Sequence, residues 1–133
     1  MAKIEVSNGE IVDKLTILAI KLEQIKDEAK LKNVQTEYDE LAPIVHGMYE
    51  ALSENDKVKM KGFHKDLQDI NQTLWNIEDH IRVHESKKDF EDAFVELARS
   101  VYFTNDERAE VKKHINMLTG SLLVEEKSYE DYK

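Results

Sequence analysis

The 133-residue chain has no cysteine, one proline, four glycines and one tryptophan. Without cysteine there is no disulfide scaffold, no thiolate metal site and no cysteine nucleophile. So few turn-forming residues argue against a sandwich or barrel, which needs many Gly- and Pro-bearing turns. Positive charge is also short: 19 Lys and Arg stand against 28 Asp and Glu, a formal net charge of −9. A duplex-binding surface usually carries a basic excess that displaces counterions from phosphates. The densest lysine stretch, Lys57, Lys59, Lys61 and Lys65, is surrounded by Asp56, Asp66 and Asp69 and reads as a solvated face. No nucleic-acid partner is therefore expected. Long hydrophobic runs are missing too. The most apolar run, residues 15–20, is interrupted by Thr16 and is far short of the ~20 residues of a spanning helix. No membrane partner is expected. Residues 1–5 contain no apolar leader run, so the expected location is cytoplasmic.

What the chain does have is helical periodicity. Ser7-Asn8-Gly9-Glu10 is a capping box, in which serine and glutamate satisfy orphan N–H groups at a helix start. Ile11, Leu15, Leu18, Leu22 and Ile25 follow at alternating four- and three-residue spacing. A second apolar set, Val12, Ile17, Ala19 and Ile20, widens the stripe nearly around the helix. A helix apolar on more than one side is central in a bundle or lies in an oligomer interface. Asp27 is the next expected cap. The second stripe, Leu31 to Leu52, contains Pro43, which predicts a kink or short break there. Phe63, Leu67, Ile70, Leu74, Ile77 and Ile81 form the third stripe in heptad spacing, and Asp89 is expected to cap the fourth helix.

The fourth stripe runs Phe90, Phe94, Leu97, Val101, Thr104, Arg108, Val111, Ile115 and Leu118. Thr104-Asn105-Asp106-Glu107 is itself a capping box. The heptad phase nevertheless passes through it unbroken, which favours one long helix ended by Gly120. The expected fold is all-α: an antiparallel four-helix bundle in one domain, with helices at 7–27, 30–53, 56–86 and 89–119. Heptad spacing implies shallow, left-handed, coiled-coil-like crossings. Residues 3–6 and 122–125 are β-like and predict a short two-stranded ribbon, with an extended tail over 120–133.

Several catalytic classes lack their motifs. None of the five histidines has a glutamate three residues earlier, which excludes the Glu-x-x-His ligand set of di-iron bundles. Glu37 and Glu40 form half of a magnesium-binding Glu-x-x-Glu, Glu-x-x-Asp pattern, and the second half does not follow. No phosphate-cradling glycine loop occurs. His80 and His84 share one helical face, yet read as a surface residue and a helix-end residue. No metal and no cofactor is expected.

What remains is a polar constellation. Arg108 stands in an apolar seam and must be neutralised there. Asp13, Glu78, Asp79 and Asp106 are its candidate partners. A buried pair would lock helix register, whereas an open pocket would make Arg108 an anion ligand. Lys14, Lys21, Arg82, Arg99 and Lys112 are further anion-binding candidates. Trp75, Tyr102 and Asn105 complete a polar cluster with the four acids.

Three stretches carry a resemblance: SNGEIVDKLTIL from Ser7, LWNIEDHIR from Leu74 and LARSVYFTNDER from Leu97, with VEEKSY from Val124. They resemble an uncharacterised all-helical family of bacteria and phages, a domain of unknown function. The resemblance spans nearly the whole chain and implies kinship without a mechanism. The first segment is also similar to the first helix of helical chorismate mutases, but it carries lysines where those enzymes use arginine. Two functions stay open. One is a self-associating interaction or scaffold module, a homodimer that also presents a polar surface to a protein partner. The other is an enzyme or binder acting on an anionic metabolite, phosphorylated or carboxylated.

Overall fold

The computed structural model describes residues 1–123 and 125–132, and four helices make up its fold: α1 (Asn8–Gln24), α2 (Glu28–Glu50), α3 (Glu54–Ser86) and α4 (Asp92–Thr119). They form the expected antiparallel four-helix bundle. Ser7 caps α1 by accepting from the Glu10 amide at 3.4 Å. The return half of that capping box is absent, because the Glu10 carboxylate turns to Lys112 instead. Asp27 caps α2 through the Lys30 amide at 3.0 Å, and Ser53 caps α3 through the Asp56 amide at 3.2 Å.

One expected break does not occur. Pro43 lies inside α2, and the helix runs through it. Asp39, whose carbonyl loses its amide donor there, is exposed, so water can replace the missing bond. Thr104 likewise sits within an unbroken α4, as the heptad phase indicates. Two further expectations need correction. Asp89 does not cap α4. That position falls to Glu91, without a side-chain cap bond, while Asp89 faces His84 at 3.4 Å and accepts from the Glu91 amide at 3.3 Å. No strand occurs among the described residues, so the terminal ribbon is not seen; Val124, in its second half, lies outside them. Ser121 instead accepts from the Asn8 amide at 3.2 Å, turning the chain past the start of α1. Gly120 ends α4 in the left-handed region, at φ 68°, where only glycine is unstrained.

The central helix is α1, which packs against all three others. Its two-sided apolar pattern is thus used within the chain, with Val12, Leu15, Leu18 and Ile20 buried. Packing of α2 is mainly on α1, and Val34 and Val45 are its only buried residues. The core gathers Val12, Leu15, Val45, Met60, Leu67 and Ile115. The most extensive helix pair is α3 with α4. With 33 residues against 17, α3 is about 50 Å long and α1 about 25 Å. The α3–α4 hairpin therefore outruns the bundle, and between Ile77 and Lys112 no residue is buried.

Two smaller predictions follow from local geometry. Gly47 and Gly62 sit in helix interiors, and a Cβ at either would meet nothing within 4 Å. Each Gly→Ala change is expected to stabilise the fold by roughly 0.5–1 kcal/mol, read as a higher urea midpoint. His64 accounts for the second. It shares a hydrogen bond of 3.1 Å with the Tyr49 hydroxyl, and burial holds its pKa below the usual histidine value. Between that lowered value and 6.5 the unfolded chain binds more protons than the folded one. Stability should therefore fall as pH drops from 7.5 through 6, and His64→Gln should flatten that slope in urea titrations.

Candidate functional site

The site begins with a glycine. At the start of α1, the Gly9 amide donates to Asn116 Oδ1 on α4 at 2.6 Å. A Cβ on Gly9 would lie 2.5 Å from the Lys112 carbonyl oxygen, so the α1 and α4 backbones meet almost directly. That approach sets Glu10 and Asp13, one turn apart on α1, against Lys112 and Arg108, one turn apart on α4.

Arg108 is neutralised by Asp13, one of its candidate partners. Its Nε donates to Asp13 Oδ1 at 2.9 Å, and its Nη2 donates to Oδ2, a bidentate fork. Asn71, from α3, donates to the same Oδ1 at 2.9 Å and to Thr16 Oγ1 at 2.8 Å. The Thr16 hydroxyl in turn donates to the Asp13 carbonyl at 2.6 Å. The Asp13 side chain is 3% exposed and that of Arg108 is 28% exposed. The Asp13 hydrogen bonds hold the guanidinium charged more firmly than usual, against the cost of burial. Three helices are thereby tied in register through one carboxylate.

The second rung is Lys112. Burial works against its charge, and hydrogen bonds to Glu10 and Glu125 outweigh it, so its pKa is raised. Lys112 Nζ donates to Glu125 at 2.7 Å, and that bond is the main cause holding the Glu125 carboxyl below its usual range. Among the described residues no buried side-chain nitrogen or oxygen lacks a partner. Asp13 is committed to three donor groups and Lys112 is held protonated, so neither is poised as a base.

Beside the Asp13–Arg108 pair lies a groove of about 490 Å³ between α1, α3 and α4. Trp75, Glu78, Asp79, Arg82, Asn105 and Arg108 line it together with Ile17, Asn71, Leu74 and Val101. Arg82 faces Glu78 at 3.6 Å. The other candidate cations lie elsewhere. Lys14 reaches across to Glu37 on α2 at 3.0 Å. Lys21 is half-buried and does not line the groove. Arg99 pairs with Glu96 at 2.9 Å and lies over the Phe103 ring. The six cations therefore do not converge on one anion. Among the described residues no group of three His, Asp or Glu is arranged to hold a metal.

The C-terminal segment adds what spacing did not reveal. After Ser121 the chain runs back along α4 as a strap. Glu125 reaches Lys112, Lys127 reaches the Asn105 carbonyl at 3.5 Å, and the Tyr132 hydroxyl donates to Asp106. That last bond pushes the Tyr132 phenol up to about 12. Tyr132 also packs against Tyr102 and Phe103, with ring centroids 5.2 and 5.1 Å apart. Sequence reasoning missed Glu10, Thr16, Asn71, Asn116 and Glu125 as members of the network. Asn71 and Asn116 each follow an apolar seam residue, but so does exposed Glu78, so no spacing signal singles them out. Glu125 carries no such signal either.

The fold and site define an all-helical bundle whose first and last helices are laced by a buried ionic network. The chain belongs to a family of unknown function, DUF6165, whose model matches residues 2–132. No curated protein and no solved structure matches it. Among the described residues, no helix is long and apolar enough to cross a membrane.

Proposed function

We propose that the protein is a cytoplasmic, non-catalytic interaction module that self-associates through the projecting α3–α4 hairpin. One observation carries this reading: the hairpin buries no residue between Ile77 and Lys112. Its seam residues Ile81, Phe94, Leu97 and Val101 are only half-covered, and Val83, Phe90 and Val95 are exposed. Helices draw most of their stability from tertiary packing of an apolar face, which two helices alone supply poorly. A second hairpin packed on the first, in coiled-coil fashion, would complete a four-helix layer.

Binding of an anionic metabolite in the Trp75 groove has less support. Both guanidiniums lining it already face carboxylates, and Glu78 and Asp79 add negative charge to its wall. Light scattering tests the main reading. The chain is expected to be a dimer at micromolar concentration. Val83→Lys, on an exposed site of the hairpin, should give a monomer with unchanged helical circular dichroism. A clean monomer for the unmodified chain up to millimolar concentration would overturn the proposal.

A further inference from the structure

One deep acceptor on the wall of the Trp75 groove has no donor. Asn71 is 5% exposed, and its Nδ2 is spent on Asp13 and Thr16. The amide orientation is fixed, because the Asp13 carboxylate can only accept. Among the described residues nothing donates to Asn71 Oδ1, and no side-chain oxygen sealed from solvent lacks a partner. The atom therefore opens outward, where Asn71 forms part of the groove wall. Arg108 is its neighbour, since both residues donate to the same Asp13 Oδ1. With Nε and Nη2 turned to Asp13, Arg108 still has Nη1 to offer on the groove side, where it is partly exposed. One end of the groove thus presents an acceptor beside a donor.

The other end differs. Asn71, Trp75 and Asp79 follow one another at four-residue spacing along one face of α3. Trp75 is half-buried, and among the described residues no ring or cation lies against it. Asp79 makes no ion pair and no side-chain hydrogen bond among them either. Asp13 cancels Arg108, and Glu78 faces Arg82 at 3.6 Å, so Asp79 is left as the uncompensated charge of the groove. We infer that the groove is a binding site for a small organic cation that carries a hydroxyl several bonds from its charge, an amino alcohol. Its ammonium pairs with Asp79 beside the Trp75 ring, where carboxylate and indole both attract it. Its hydroxyl donates to Asn71 Oδ1 and accepts from Arg108, which only a group that both gives and takes a hydrogen bond can do. Its alkyl stem covers Leu74 and Val101. Asn71 and Asp79 are two turns apart, ~12 Å along the helix axis. A five-carbon stem with a hydrogen bond of ~3 Å at each end spans about that distance. The groove volume of about 490 Å³ is of small-ligand size. The inference does not depend on self-association.

Trp75 is the only tryptophan, so its emission reports on this groove alone. The full-length chain is titrated with aminopentanol, amine and hydroxyl at opposite ends, and in parallel with pentylamine, pentanediol and aminopentanoate. A saturable emission change is expected with aminopentanol in the millimolar range. Pentylamine should bind about fivefold more weakly, through loss of one hydrogen bond, and pentanediol, which lacks the charge, should give no response. Asp79→Asn, at an exposed position, should weaken aminopentanol binding about tenfold with unchanged thermal unfolding. Asp39→Asn removes the same charge from α2, outside the groove, and should leave binding unchanged. No emission change with either amine, an equal response to the diol, or full affinity in Asp79→Asn would overturn the site. Tighter binding of aminopentanoate than of aminopentanol would overturn the hydroxyl assignment, since a carboxylate cannot donate to Asn71. Light scattering on the same samples separates the two proposals: a monomer that binds aminopentanol overturns self-association only, and a dimer that ignores it overturns this site only.

Discussion

Arg108→Ala is expected to lower stability by roughly 3–5 kcal/mol, because it leaves the Asp13 carboxylate buried with its main counter-charge gone. Asn71 alone cannot compensate, since its amide is shared between Asp13 and Thr16. Asp13→Ala should be milder: Arg108 is 28% exposed and can turn its charge into the adjoining groove. The double substitution Asp13→Leu with Arg108→Met should recover much of the loss, because replacing both members of a buried pair with apolar groups is often neutral. Urea melts of the four proteins compare the loss of one partner with the replacement of both. If Arg108→Ala unfolded at the same midpoint as the unmodified chain, the Asp13 network would not be what ties α1 to α4.

Gly9→Ala carries the second large effect. Its Cβ would meet a backbone carbonyl, that of Lys112 at 2.5 Å, and Asn116 Oδ1 at 3.0 Å. A carbonyl inside α4 cannot swing aside, so α1 must move away from it. Overpacking of this kind costs typically about 1–3 kcal/mol. Here the shift would also lengthen the Gly9–Asn116 bond and both ionic rungs, so a cost at the upper end is expected. Gly47→Ala and Gly62→Ala serve as internal controls of opposite sign. A Gly9→Ala protein as stable as the original, with unchanged amide-exchange protection in α1, would contradict the close approach.

Much of the fold was legible because helix patterning is local. Heptad spacing identified the seam of α3 and carried α4 through Thr104. The mismatch between Arg108 and its apolar stripe announced that the guanidinium needed a negative partner, with a buried pair and an anion pocket both open. Asp13 stood among the candidates as a carboxylate on a facing helix. Its selection over Glu78, Asp79 and Asp106 was not legible, since that depends on how closely α1 approaches α4. The glycine that sets this distance reads in sequence as part of a helix start. Glu10 misled for the same reason: a capping box predicts a local bond, and a buried lysine from the other end of the chain took the carboxylate instead.

The sequence by itself determined that this is an all-helical, acidic, cysteine-free bundle with one cation in its seam, because periodicity, capping and charge are properties of neighbouring residues. Only the tertiary structure decided which acid meets that cation, that α3 and α4 outrun their partners, and that the terminal segment lies along α4 as a strap. Those outcomes depend on the distances between helix axes and on contacts more than a hundred residues apart, such as Gly9 with Asn116, which no local pattern encodes.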